Sequence, residues 1–233
     1  MIGVWVNCAT VVIGGVLGTL LRGGIQERYR KTIHAGLALC VMLIGVSGAI
    51  KTSNVMIVIV SMVIGSLLGE LAHIEDGLDK LGTWAQKRFA KGDTGFAAGF
   101  VNATLLFCVG AMAVVGSLEA GLTGKSDTLL AKAVLDGVSA MIFASTLGIG
   151  VAFSAIPLTL YQGGIALLAN VLAPVMTDAL IQEMSAVGSL LIIALSLNML
   201  EATRERIRVG NMLPAILIPC AYLPIAEWLS RLF

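Results

Sequence analysis

Apolar residues run in eight stretches along the chain, at about 3–21, 34–50, 55–73, 97–117, 131–152, 154–175, 185–200 and 211–229. Each is near the roughly 20 residues that cross a bilayer as a helix. The runs are continuous where a barrel strand would alternate, and lipid offers backbone groups no partner outside their own helix. The pattern predicts an all-α polytopic membrane protein of about eight transmembrane helices, some of them discontinuous. Segment 131–175 admits two readings. It holds two crossings joined by almost no loop, with Gly148, Gly150, Ser154 and Pro157 at the turn, or two re-entrant half-helices.

Basic residues between the runs set the orientation. Arg22, Arg28, Arg30 and Lys31 follow the first run, Lys80, Lys87, Arg88 and Lys91 the third, and Arg204, Arg206 and Arg208 the seventh. The other loops carry Lys51, Lys125 with nearby Lys132, and no basic residue between 174 and 183. Cytoplasmic loops are the basic ones, so eight spans place both termini outside. The first run lacks a basic leader and ends in Arg22 instead of a small-residue cleavage site, so it reads as a retained span. Within the longest polar segment, 72–98, Leu78, Leu81, Trp84, Ala85 and Phe89 recur at spacings of three and four, with Asp79, Lys80, Lys87, Arg88 and Lys91 elsewhere around the helix. That spacing predicts an amphipathic helix on the cytoplasmic membrane surface.

Two internal echoes suggest duplication. Val6-Asn7-Cys8-Ala9-Thr10 and Val101-Asn102-Ala103-Thr104 lead towards Gly15 and Gly110, and segment 36–59 pairs with 188–215. Because the loop charges send the first span inward and the fourth outward, the copies are expected to be inverted, the architecture of many secondary transporters. The expected organisation is a single transmembrane domain, 1–233. A first repeat spans 1–74, an amphipathic linker 75–96, and a second repeat 97–233 with an inserted helix pair at 131–175.

Composition removes whole classes of function. Of 233 residues 58% are hydrophobic and 12% charged, about half the charge of a soluble domain. The mean hydropathy is +0.95. A formal net charge of +1 with dispersed Lys and Arg gives no surface for nucleic acid. Cys8, Cys40, Cys108 and Cys220 lie in apolar stretches without a CxxC pair. His34 and His73 stand far apart in sequence, and the chain has no HExxH, GxSxG or Walker A sequence. Neither an enzyme nor a cofactor is expected.

The stretches CVGAMAVVGSLEAGLTG at 108–124, LDGVSAMIFASTLGIGV at 135–151, LYQGGI at 160–165 and GNMLPA at 210–215 resemble the bacterial DUF554 family, nearly end to end. That family is named for its unknown function and described only as membrane proteins assumed to transport. The resemblance implies a multi-span fold in a bacterial inner membrane. It implies no substrate and no site residues.

The site is therefore argued from chemistry. An ionisable group inside a span costs about 2.5–3.5 kcal/mol on insertion scales and usually meets a partner or a water-filled path. Asp136 is such a group, with Ser139, Thr146, Gly150 and Ser154 near one helix face and Gly137, Ala140, Ala144 and Gly148 on a neighbouring face open to a second helix. The alternative is an interfacial pair with Lys132, one turn earlier. Gln162 lines a site or binds backbone freed by Pro157. Asn7 with Thr10, and Asn102 with Thr104, either cap discontinuous helices or offer oxygens to a small cation or a substrate. Glu70, Glu119 and Glu201, at span ends, read as solvated. Together these features predict a secondary transporter or exporter of a small solute or ion, with a channel and a membrane scaffold or sensor as alternatives. The small-residue face of Gly14, Gly15 and Gly18 suggests a homodimer in the lipid bilayer.

Overall fold

A computed structural model describes residues 1–22, 26–89 and 95–222, and among these every regular element is helical. In chain order they are α1 (Ile2–Arg22), α2 (Glu27–Ala49), α3 (Val55–Leu71), α4 (Ile74–Phe89), α5 (Phe96–Cys108), α6 (Ala111–Leu122), α7 (Asp127–Leu147), α8 (Gly150–Phe153), α9 (Ala155–Leu167), α10 (Ala169–Leu172) and α11 (Asp178–Met199). A 3-10 segment, Val209–Leu217, follows.

Five helices are long and apolar enough to cross a membrane: α1, the Lys31–Ala49 part of α2, α7, the Gly150–Leu167 run of α8 and α9, and α11. A sixth forms if α5 and α6, bent by 64° at their junction, count as one. This is fewer than the eight expected from the apolar runs. Two runs make helices that are too short: α3 has 17 residues, about 26 Å of rise, and Val209–Tyr222 contains Pro214. The expected last span runs on to 229, and everything past 222 lies outside the described residues.

Segment 131–175 resolves into two long helices. Gly148, at φ +84°, ends α7 in a conformation that side chains disfavour. Gly150 and Ser154 therefore belong to the next run and do not extend the polar face of Asp136, a correction to the reading that placed all four on one helix.

Glycines set the closest crossings. A side-chain carbon on Gly14 or Gly18 of α1 would collide with the carbonyl oxygens of Gly137 and Met141 on α7, and one on Gly15 would meet Ala152. The face expected to carry a homodimer is thus taken up inside the chain. Gly45 and Gly48 of α2 receive Ile193 and Ser189 of α11, while Gly65 and Gly69 of α3 receive Ala215 and Asn211. These contacts bury an apolar cluster through the middle of the bundle, including Val11, Val41, Phe107, Ala140, Phe143, Leu158 and Ile192.

The expected amphipathic helix is α4, with Trp84 exposed. The side chains of Asp79, Leu81, Ala85 and Phe89, and all of Lys91, lie outside the described residues. Glu75 fixes the start of α4: its carboxylate accepts from the Gly210 amide at 2.5 Å and stands 3.5 Å from Arg206, and its own amide donates to Asn211 Oδ1 at 2.7 Å. Asn211 also donates to Glu70 at 2.6 Å, and Arg208 pairs with Glu70 at 2.9 Å.

Candidate functional site

Four polar side chains from three helices meet inside this apolar packing. On α7, Lys132 lies one turn before Asp136, so their side chains share a face. The Lys132 ammonium donates to both oxygens of Asp136, at 2.8 and 2.6 Å. From α1, Asn7 Nδ2 donates to Asp136 Oδ2 at 3.0 Å and to Gln162 Oε1 of α9 at 3.2 Å. Asn7 and Gln162 are fully buried, and Lys132 and Asp136 are each 6% exposed. The short Asn7 side chain reaches α7 because Gly14, Gly18 and Gly137 let the two backbones approach so closely.

The carboxylate fixes how the two amides point. A charged carboxylate only accepts, so Asn7 must present its nitrogen, and Gln162 in turn must present its oxygen. That leaves Asn7 Oδ1 and Gln162 Nε2 buried without a partner among the described residues. Each such orphan costs about 1–3 kcal/mol, the penalty of keeping a polar group buried without a partner.

Lys132 and Asp136 also line a cavity of about 1030 Å³, with Leu43 and Ile44 of α2, Ile192 of α11, and Lys51 and Asp178 at the ends of their helices. Gly110, Ala111, Met112 and Ala113 line it too. There the path from α5 to α6 breaks, with Gly110 at φ +122°. Two smaller cavities, of about 470 and 540 Å³, enter at the opposite ends of α2, α7 and α11. The first is lined by Lys31, His34 and Thr146, the second by His34, Asn102, Asn198 and Arg204. Thr146 stands ten residues after Asp136 on α7, about 15 Å of rise. That interval is filled by Val41, Phe107, Ala140 and Phe143.

The residues singled out by sequence divide accordingly. Asn7, Asp136 and Gln162 come together. Asn102 and Thr146 sit at the opposite cavities, and Thr146 donates to the Phe143 carbonyl of its own helix. Thr10 donates to the Asn7 carbonyl and packs on Gly137. Thr104 donates to the Phe100 carbonyl and lines a separate cavity of about 360 Å³. Ser139 is half-buried and does not join the cluster. Neither Asn7 nor Asn102 caps a helix: both are interior to α1 and α5, and the break falls at Val109 and Gly110. From sequence, Lys132 reads only as the interfacial alternative to a functional Asp136. The two in fact form one buried pair, a possibility their spacing of four contained.

Two buried carboxylates were missed, Glu75 and Glu183. Glu183, on α11, is 1% exposed and accepts from Thr52 Oγ1 at 2.6 Å, Ser53 N at 2.8 Å and Ser53 Oγ at 2.6 Å. It lay within what read as a loop, and no local pattern marks it. Glu119, read as solvated, has one oxygen buried without a partner among the described residues. Among the described residues no three His, Cys, Asp or Glu side chains meet to hold a metal ion.

Two known proteins are similar over nearly the whole chain, and one of them is named as a membrane protein. An Escherichia coli K12 protein named "Uncharacterized protein YqgA" is 33% identical over 223 residues, covering 94% of each chain. A Bacillus subtilis 168 protein named "Uncharacterized membrane protein YdfK" is 31% identical over 223 residues, again 94% of each. No solved structure matches the chain. The family described as "Protein of unknown function (DUF554)" matches residues 2–223, and the chain belongs to that family.

Proposed function

We propose that this membrane protein is a secondary transporter of a small solute, working around the Lys132–Asp136 pair by alternating access. The observation that carries this reading is the opposed cavities. One reaches a buried ion pair from one end of the bundle, others enter from the far end, and an apolar plug divides them. A carboxylate and an ammonium kept at such depth are costly in a membrane and signal a solute or ion path.

Two further features support the reading. In the inverted-repeat view, α2 corresponds to α11 and α3 to the 3-10 segment, and each of these pairs meets at a glycine crossing, as expected around a pseudo-twofold axis in the membrane plane. The smaller cavities carry Lys31, Arg204 and Arg206, so the positive-inside rule turns them to the cytoplasm and the larger cavity to the outside of a bacterial inner membrane. On this view α3 and the last segment complete eight spans, with both termini outside.

The test is solute flux into liposomes holding the purified protein. Saturable flux that disappears in the Lys132→Met/Asp136→Asn double variant supports the proposal. Unsaturable flux that follows the membrane potential would make the protein a channel instead. No flux for any solute, with Asp136 variants fully active in the cell, would leave a scaffold.

A further inference from the structure

The larger cavity sets two opposite charges side by side in an otherwise largely apolar wall. Lys132 and Asp136 are in direct contact at 2.6 Å, flanked by Leu43, Ile44, Val115 and Ile192. The N-terminal turn of α6, 111–113, lines the same space, and a helix N-terminus presents partial positive charge to an anionic group. The wall thus offers a cationic half, an anionic half and an apolar flank.

Resting on the transport reading, we propose that the cavity takes a small zwitterion with an apolar body, of the aliphatic α-amino-acid class. Its carboxylate binds Lys132 and the N-terminus of α6. Its ammonium binds Asp136, and its hydrocarbon part lies along Leu43, Ile44 and Ile192. The argument is charge balance. The Lys132–Asp136 pair carries one charge of each sign, and burying an unpaired charge is strongly unfavourable. A simple anion entering the pair would satisfy Lys132 and leave Asp136 without a counter-charge, while a simple cation would do the reverse to Lys132. A zwitterion gives each member a new partner and leaves the site neutral. Lys51 and Asp178 at the cavity rim carry one charge of each sign and favour neither kind of ion.

Leucine, 4-methylpentanoate and 3-methylbutylamine share a branched apolar body; leucine carries both charges, 4-methylpentanoate only the negative one and 3-methylbutylamine only the positive one. Binding of each to the purified full chain is read from its melting temperature, since a ligand of the folded state raises it. Leucine is expected to bind at least about tenfold more tightly than either singly charged probe, and the Lys132→Met/Asp136→Asn variant to fold and lose that binding. Equal binding of the acid or the amine, no binding of all three, or unchanged leucine binding by the double variant would overturn the proposal. Flux in liposomes separates this result from the parent reading. Leucine binding without flux keeps the ligand class and counts against transport, whereas saturable flux of the acid or the amine without leucine keeps transport and overturns the class.

Discussion

Lys132 Nζ stands 2.8 and 2.6 Å from the two oxygens of Asp136, with the side chains only 8% and 9% exposed. An exposed i, i+4 pair contributes about 0.3–0.5 kcal/mol. This one is out of water, where each ion has lost several kcal/mol of solvation and depends on the other to offset it. The pair therefore has to be treated as a unit.

Asp136→Asn alone leaves the Lys132 ammonium buried without its carboxylate. The expected cost is about 3–5 kcal/mol, seen as a large fall in melting temperature in detergent. Lys132→Met/Asp136→Asn removes both charges and is expected to recover most of that loss. A double variant no more stable than Asp136→Asn would show that the pair is not coupled by burial.

The α1–α7 crossing makes an independent prediction. Gly18→Ala puts a methyl group against the Met141 carbonyl, which belongs to backbone and cannot rotate away. Destabilisation of several kcal/mol is expected, in the upper range for overpacking. Gly36→Ala is the control: its new carbon meets nothing within 4 Å among the described residues, and replacing a helical glycine there stabilises by about 0.5–1 kcal/mol. Unfolding of both variants side by side decides whether this close approach specifies the fold.

The positions of α1, α2, α3 and α7 were legible because long apolar runs between polar loops have one solution in lipid. Asp136, Asn7 and Gln162 were legible singly, since each is a polar group in an apolar run, but their meeting was not. It depends on Gly14 and Gly18 of α1 lying on Gly137 and Met141, contacts more than 120 residues apart in sequence. The break at Gly110 was hidden among 27 glycines, most of which sit in ordinary helix or loop. Glu183 was hidden for another reason. Its partners are hydroxyls and an amide on the 52–53 turn, so no opposite charge stands near it in sequence.

Glu183 ties the α2–α3 turn to α11, and Gln182 adds a bond from its side-chain amide to the Lys51 carbonyl. Glu183→Gln keeps the shape but loses the charge that strengthens three bonds. A loss of about 1.5–3 kcal/mol is expected from hydrogen bonds to a charged group. Hydrogen exchange at the Ser53 amide is expected to quicken in the variant, and unchanged exchange would contradict the anchoring role.

Orientation is testable in a background lacking Cys8, Cys40, Cys108 and Cys220. Val175→Cys is expected to react with an impermeant thiol reagent from outside intact cells, and Thr203→Cys only after the cytoplasmic face is opened. The reverse pattern would invert the charge-based topology.

Ile192→Cys, in the same cysteine-free background, tests alternating access without knowledge of the solute. Ile192 lines the larger cavity and belongs to the apolar plug beneath it. Its rate of modification by an impermeant thiol reagent is measured from each side of oriented membrane vesicles. The account predicts reaction from both sides, with any condition that speeds one slowing the other. Reaction from the outer side alone under every condition would mean that the plug never opens inward, and would contradict the account.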